Sequence, residues 1–382
     1  MSKRSTKQKQ ITVVFNIDDN EEEEVKPNTK AKKQKPVVLP DPEIKKKRGR
    51  KKSIPMFKGK LETLQDMIQL AEEEVIYSNI DVTKLMVIKQ ELKDLHQLIG
   101  LENIKRTIFE QLVFYLQHLH EGSEMYLNTV IYGPPGTGKT TVAKIMGSMF
   151  SKLNIIKTPE YDDDYDDYED EEEDDEEYDK FYMLRRDDLV GEYLGSTSIK
   201  TQETLQSCLG GVIFIDEVYS LGNKDGTDSF AKEAIDTMNL FLSENKDYMM
   251  MIVAGYKEEI NNCFFKYNEG LRRRFMWYHT IEPYTAENLR DIFLSKLEQS
   301  EWTYDDKVTE YMLQTIRNHK ELFPDNAGSI ENFITLVKIK HGKRVLLLSM
   351  EHKKKITIED IKNALTDQTK EKKQEEFMNM YM

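Results

Sequence analysis

The residues of this chain best suited to chemistry form one octapeptide, Gly133-Pro134-Pro135-Gly136-Thr137-Gly138-Lys139-Thr140. Its G-x-x-x-x-G-K-[ST] spacing is that of a loop whose inward-turned backbone N–H groups cradle a polyphosphate. Glycines suit it because a Cβ would obstruct the close approach of backbone to phosphate. Lys139 would set a point charge on the β- and γ-phosphates, and the Thr140 hydroxyl would ligate Mg²⁺. With Thr141 as the next residue, the run is the expected nucleotide-binding set. A second group follows in Val212-Ile213-Phe214-Ile215-Asp216-Glu217, an apolar run that stops abruptly at two carboxylates. Asp216 would hold Mg²⁺ through water, and Glu217 would orient or deprotonate the attacking water. Together the two groups predict a chain that binds and hydrolyses ATP, with Mg²⁺ as cofactor.

These groups need elements to position them. Leu127 to Tyr132 predicts a short buried strand and Thr141 to Phe150 a helix, which puts the phosphates at a helix N-terminus, where the dipole favours an anion. Val212 to Ile215 predicts a central strand with its acids emerging at the carboxyl end, where α/β sheets bind ligands. Phe181 to Leu184 and Met249 to Ala254 add strands, and Phe230 to Ser243 a helix. The alternation predicts the α/β class, a parallel sheet covered by helices. Past Thr285 the periodicity predicts only helices, at 286–299, 306–319, 329–350 and 357–365, hence a small all-α subdomain. Upstream, Leu61 to Leu98 repeats apolar residues at three- or four-residue steps, and Asn103 to His120 predicts an amphipathic helix.

The resulting division is a disordered basic tail at 1–55, a helical leader at 56–98, an ATPase domain at 99–282, a helical lid at 283–366 and a tail at 367–382. The chain has 382 residues, 38% of them apolar, and a net charge of −14. Its mean hydropathy is −0.65, so a good part of it lies outside any packed core. The charge is concentrated: residues 160–179 are sixteen acids and four tyrosines, and the remainder sums to +2. Self-repulsion predicts an exposed, disordered insertion there. It would dock a basic partner, meet the protein's own basic tail, or simply be a solvated loop. Lys139 and Asp216 stand 77 positions apart, and 57 without the insertion. The basic run Lys45 to Lys52 reads equally as a nuclear-import signal, a nucleic-acid contact or a solubilising linker. The two cysteines, Cys208 and Cys263, and the scattered histidines carry no metal spacing. With no signal-peptide core and no membrane-length apolar run, the expectation is a soluble intracellular protein, cytoplasmic or nuclear, without a membrane partner.

The order of motifs resembles the AAA+ ATPases, and within them the CbbX/CfxQ-type proteins, which include red-type Rubisco activases and the sporulation protein SpoVK. The resemblance rests on Leu98-Ile99-Gly100-Leu101-Glu102-Asn103-Ile104-Lys105, the phosphate loop, Asp188-Leu189-Val190-Gly191-Glu192-Tyr193-Leu194-Gly195-Ser196-Thr197, Gly210 to Glu217, Ala254-Gly255-Tyr256-Lys257 and Gly270-Leu271-Arg272-Arg273-Arg274-Phe275. It implies that Ile99 and Gly100 line an adenine pocket and that Tyr256 reaches the γ-phosphate or the lytic water. It implies that Tyr193, Leu194 and Gly195 form a pore loop that grips a polypeptide. Arg274, with Arg272 as second candidate, is implied to enter a neighbouring subunit's site, where a planar guanidinium suits the charge spread over a transferring phosphoryl group. That in turn implies a homo-oligomeric ring, usually a hexamer, acting on a protein client.

One segment departs from the family pattern. In Asn326-Ala327-Gly328-Ser329-Ile330-Glu331-Asn332, Gly328 and Glu331 stand where phosphate-sensing arginines are usual. Either Lys338 or Lys340 substitutes, or the coupling of hydrolysis to lid movement is weak and basal turnover slow. Two other functions remain as alternatives: a nucleic-acid-associated ATPase recruited by residues 45–52, and a nucleotide-gated scaffold.

Overall fold

Strands of four to six residues, apolar throughout, can only be satisfied when both faces of their sheet are covered. In the computed structural model, which describes residues 54–117, 119, 125–159, 180–193, 195–347 and 353–379, this is how they are used. β1 (Thr129–Tyr132), β2 (Phe181–Leu184), β3 (Val212–Ile215), β4 (Met250–Gly255) and β5 (Trp277–Thr280) form one sheet in the order β2-β3-β4-β1-β5. Every pairing is parallel: Tyr132 lies opposite Gly255 and Thr280, and Ile215 opposite Val253. The carboxyl ends of β1, β3 and β4 therefore open along one edge of the sheet. The tail, the acidic insertion, His118, His120 and Leu194 lie outside the described residues.

Two apolar layers cover the sheet. On one side, α5 (Lys139–Lys152) and α4 (Glu102–Leu116) pack with the leader; the other side holds α7 (Thr197–Gln206) and α8 (Ser229–Glu244). The leader is not one long helix. α1 (Leu64–Glu73) ends where Glu74 turns left-handed at φ 53°, Asp81 caps α2 (Val82–Val87), and α3 (Lys89–Gln97) follows. Its Met67, Leu85, Leu92 and Leu95 share a core with Val142, Met146 and Phe150 of α5. Buried Glu91 of α3 accepts from Ser148 Oγ at 3.0 Å and pairs with Lys152 at 3.0 Å. Leader and sheet are thus one packed body.

β5 has no counterpart in the sequence reading, because its residues alternate rather than run apolar. Only His279 of β5 is buried, with Nδ1 2.8 Å from Thr107 Oγ1 on α4. Burial pushes that imidazole down to about 4.

The segment from 285 holds α11 (Ala286–Gln299), α12 (Asp306–Asn318), α13 (Ala327–Arg344) and α14 (Ile358–Asn379) around Phe293, Met312 and Phe333. Two corrections to the sequence reading follow. The segment is not wholly helical, since β6 (Thr303–Tyr304) pairs in parallel with β7 (Lys355–Ile356). And α14 continues to Asn379, past position 366, where the sequence suggested that the lid ends and a tail begins. Short elements remain between: α6 (Arg186–Leu189), α9 (Lys257–Cys263) and α10 (Glu269–Arg272).

Candidate nucleotide site

At the open edge of the sheet lies a cleft of about 560 Å³ between sheet and lid. Pro135, Gly136, Gly138, Lys139, Thr140 and Thr141 line its floor, and Asp216 and Glu217 its far wall. Leu98, Ile99 and Leu101 close one end beside Ile292 of α11, an apolar slot suited to a flat heterocycle. Gly100, expected in the same slot, instead backs onto the Asn288 side chain of α11. Gly133 and Pro134 shape the loop from behind, the Pro134 carbonyl accepting from Thr137 Oγ1 at 2.8 Å.

The polar groups converge as the motifs require. Thr140 Oγ1 donates to Asp216 Oδ2 at 2.8 Å, although 76 positions separate them. A hydroxyl and a carboxylate brought together offer the few hard oxygens that Mg²⁺ takes from a protein, leaving room for waters and phosphate oxygens. Among the described residues no group of three or more His, Cys, Asp or Glu could hold a metal by itself. The Lys139 ammonium turns back onto the Pro134 carbonyl at 3.0 Å. Burial lowers its pKa, while Asp216 and Glu217 pull the other way. Tyr256 follows β4, its ring centre 5.9 Å from Lys139 Nζ.

The lid meets the phosphate loop at three of the loop's backbone carbonyls. Ala327 N–H donates to the Gly136 carbonyl at 3.1 Å, Asn326 Nδ2 to the Pro135 carbonyl at 3.1 Å, and Tyr284 Oη to the Thr137 carbonyl at 3.1 Å. A Cβ on Gly136 would sit 2.0 Å from the Asp325 carbonyl oxygen, so only glycine allows this contact. Asn326 holds φ 53°, and its Oδ1 also accepts from Tyr284 N–H at 3.0 Å. Motif reading missed Asn326 and Tyr284, whose roles arise only from this contact.

The residues tied to the trans-acting arginine separate. Arg274 is bound within its own chain, Nε to Ser243 Oγ at 2.9 Å and Nη1 to the Gly270 carbonyl at 3.1 Å. Arg272 bonds Asn261 Oδ1 at 2.8 Å and lies over Phe265. Arg273 is exposed, with no side-chain partner among the described residues.

The AAA family, described as "ATPase family associated with various cellular activities", matches residues 129–276, and the AAA lid domain family matches 285–373. A putative cfxQ-like protein of Acanthamoeba polyphaga mimivirus is 33% identical over 310 residues, covering 80% of this chain and 71% of that one. The chain is an AAA+ ATPase of the CbbX/CfxQ/SpoVK family. Stage V sporulation protein K of Bacillus subtilis is 29% identical to this AAA+ ATPase, covering 65% of it and 73% of the relative. The chloroplastic ribulose bisphosphate carboxylase/oxygenase activase of Cyanidioschyzon merolae is 30% identical, covering 68% and 84%. Membership in the family makes the protein an ATP-hydrolysing enzyme.

Against the family pattern, the lid wall of this ATPase is electrically unusual. Gly328 and Glu331 both line the cleft. Lys338 and Lys340, expected as substitutes for the family's arginines, are not among the residues lining the cleft: Lys338 Nζ stands 5.2 Å from the Trp302 ring centre, and Lys340 pairs with Asp367. The lid cation that does line the cleft is Lys296 of α11, paired with Glu331 at 2.7 Å. Sequence reading missed it because the pair joins two helices 35 positions apart. No described helix is long and apolar enough to cross a membrane.

Proposed function

We propose that this chain is one subunit of an ATP-driven ring, hexameric in its simplest form, that remodels protein clients by drawing a segment through a central pore. The observation that carries the reading is Tyr193, 73% exposed on a turn ahead of α7. Ser196 pins the turn, its Oγ donating to the Tyr193 carbonyl at 2.8 Å and accepting from Tyr193 N–H at 3.2 Å. A large ring held out into solvent by a fixed backbone can clamp an unfolded chain without reading its sequence. Tyr193, Leu194 and Gly195 would be that grip. The Cyanidioschyzon relative, named as an activase of a carboxylase, is a precedent for a protein client.

In this reading the triphosphate lies on Pro135–Thr141 with its base beside Ile99, and Lys139 leaves the Pro134 carbonyl for the β- and γ-phosphates. Thr140 and Asp216 would hold Mg²⁺, which neutralises the phosphate oxygens when bound. Glu217 takes a proton from water as the water oxygen bonds to the γ-phosphorus. The bond to the β–γ bridging oxygen breaks, leaving ADP and inorganic phosphate. Tyr256, half-exposed beside Lys139, would sense the γ-phosphate. Arg274 of a neighbouring subunit would stabilise the charge of the transferring group once freed from Ser243 and Gly270; Arg272 is the second candidate.

ATP turnover measured against protein concentration tests the reading, with Glu217→Gln, Arg274→Ala and Arg273→Ala beside the wild type. Turnover per subunit should rise with concentration and collapse in Glu217→Gln and Arg274→Ala. Loss in Arg273→Ala alone would move the trans-acting role to that residue. Turnover independent of concentration and of both arginines would favour a nucleotide-gated scaffold. Tyr193→Ala should keep ATPase activity but lose ATP-dependent unfolding of a fluorescent protein carrying an unstructured tail. Equal loss of both would reject the pore loop. The run Lys45 to Lys52 supports a second reading, a nucleic-acid-associated ATPase. It predicts binding to DNA or RNA that weakens steeply with salt and disappears when residues 1–55 are deleted.

A further inference from the structure

Arg274 joins a fixed backbone to a side chain folded back over its own subunit. Its N–H donates to the Leu271 carbonyl at 2.9 Å, and its carbonyl accepts from Asn128 Nδ2 at 2.8 Å. Asn128 is itself buried, its Oδ1 taking the Met251 N–H of β4 at 2.8 Å. The next residue, Phe275, is buried against Phe264 and Phe265. The side chain of Arg274 is half-buried. Its Nε donates to Ser243 Oγ at 2.9 Å and its Nη1 to the Gly270 carbonyl at 3.1 Å, with the Tyr126 ring centre 5.9 Å from Cζ.

Both hydrogen-bond partners of this guanidinium are neutral, and among the described residues no carboxylate pairs with it. Ser243 lies in the last turn of α8, and its hydroxyl hydrogen is already committed to the Asn239 carbonyl at 2.8 Å. What it turns to Arg274 is therefore an oxygen lone pair. A guanidinium carries one N–H on Nε and two on each Nη, and it grips a phosphoryl group through two parallel N–H groups on one edge. Ser243 takes the single Nε–H, so the edge shared by Nε and Nη2 is closed while this bond lasts. A charged phosphoryl oxygen is a stronger acceptor than a hydroxyl, so the bond can be exchanged.

We propose that Ser243 is a positioning residue for hydrolysis: its hydroxyl latches Arg274 to the subunit that carries it, and the arginine engages a neighbouring subunit's phosphoryl group only by giving up that bond. The latch restrains turnover rather than supporting it, because the Nε edge is closed until the bond is exchanged. Its partners are neutral, so a charged group can release it, and Asn128 keeps the backbone in place while the side chain swings. Ser243 acts only through Arg274. The inference rests on the reading of Arg274 as the trans-acting group.

The test compares wild type, Ser243→Ala, Ser243→Thr, Arg274→Ala and the double variant Ser243→Ala with Arg274→Ala. For each, kcat and KM for ATP are measured at a protein concentration where turnover per subunit no longer rises. Alanine removes the acceptor and suits the helix, whereas threonine keeps the hydroxyl. A hydrogen bond to a charged group is commonly worth about tenfold or more in an equilibrium, and the Gly270 bond remains. Ser243→Ala should therefore raise kcat about fivefold and leave KM within about twofold, the pattern of a change felt in the reaction step. Ser243→Thr should match the wild type. In the Arg274→Ala background, Ser243→Ala should alter turnover less than about twofold, because the group it holds is already gone. An unchanged or lowered kcat in Ser243→Ala, an equal gain in Ser243→Thr, or an equal gain in the Arg274→Ala background would overturn the proposal. Wild-type turnover in Arg274→Ala would instead overturn the trans-acting role of Arg274, so the two failures are distinguishable.

Discussion

The two walls of the nucleotide cleft are built on different principles. The sheet wall holds its chemistry in charged and hydroxyl side chains at the start of α5 and just past β3: Lys139 on the Pro134 carbonyl, Thr140 against Asp216, and Glu217 beside them. The lid wall touches the same loop through neutral hydrogen bonds from Asn326, Ala327 and Tyr284, and its two ionisable groups, Lys296 and Glu331, neutralise each other. The cleft therefore has a charged wall on one side and a hydrogen-bonded contact with an internally paired charge on the other. The lid thus contacts the carbonyls of the phosphate loop itself through these three bonds.

This contrast can be broken first on the sheet wall. Glu217→Gln should cut turnover by a factor of about 100 or more while leaving nucleotide affinity intact, as expected for a group acting on the water alone. Parallel turnover and fluorescent-nucleotide titration would check it; a matching loss of affinity would mean that the carboxylate also shapes the binding site. On the lid wall, Asn326→Ala removes the bonds to the Pro135 carbonyl and Tyr284 N–H and should cost about 1–3 kcal/mol. Faster hydrogen exchange over 325–330 and weakened nucleotide binding would show it, with Lys139 chemistry otherwise preserved. Unchanged exchange would place the lid contact elsewhere.

A third change makes the lid wall resemble the sheet wall. Glu331→Arg frees Lys296 and adds a second cation to the cleft, and should raise basal turnover a few-fold. Turnover unchanged or lowered would show that slow coupling does not stem from the missing charge. A last effect, outside the cleft, lies behind the sheet wall at His279. Its folded pKa of about 4 lies below the ordinary 6.5, so between those values the unfolded chain takes up a proton that the folded one refuses. Stability is complete above pH 6.5, falls by at most about 1.4 kcal/mol per pH unit below it, and levels off under pH 4. Denaturant titrations of wild type and His279→Gln should give the variant the shallower slope; identical slopes would assign the acid sensitivity to other groups.

Contiguity separates what could be read early from what could not. The phosphate loop is eight adjacent residues, and the strand ending in Asp216 and Glu217 is six; each carries its function in local order, and both lie where their patterns imply. The central strands were legible for the same reason, being short apolar runs closed by turn residues. β5 was not, because an edge strand with one buried residue leaves no such run. Gly100 reads as part of an adenine pocket, yet Leu98, Ile99 and Leu101 line the cleft while Gly100 backs onto Asn288. The sequence divides off a helical leader at 56–98, but its Leu85 and Leu92 share one core with α5.

The sequence by itself pointed to a phosphate-binding loop and to a strand ending in two carboxylates, since both patterns depend on neighbours close along the chain. It also determined the family, through the order of its motifs. Only the tertiary structure decided that Lys296 rather than Lys338 or Lys340 faces the cleft, that Arg274 is bound to its own chain, that Asn326 fastens the lid, and that Tyr219 stands against Gly255 and Tyr256. Each of these is a contact between residues on separate turns or elements. Such contacts arise from how whole layers pack, and no local pattern of residues encodes them.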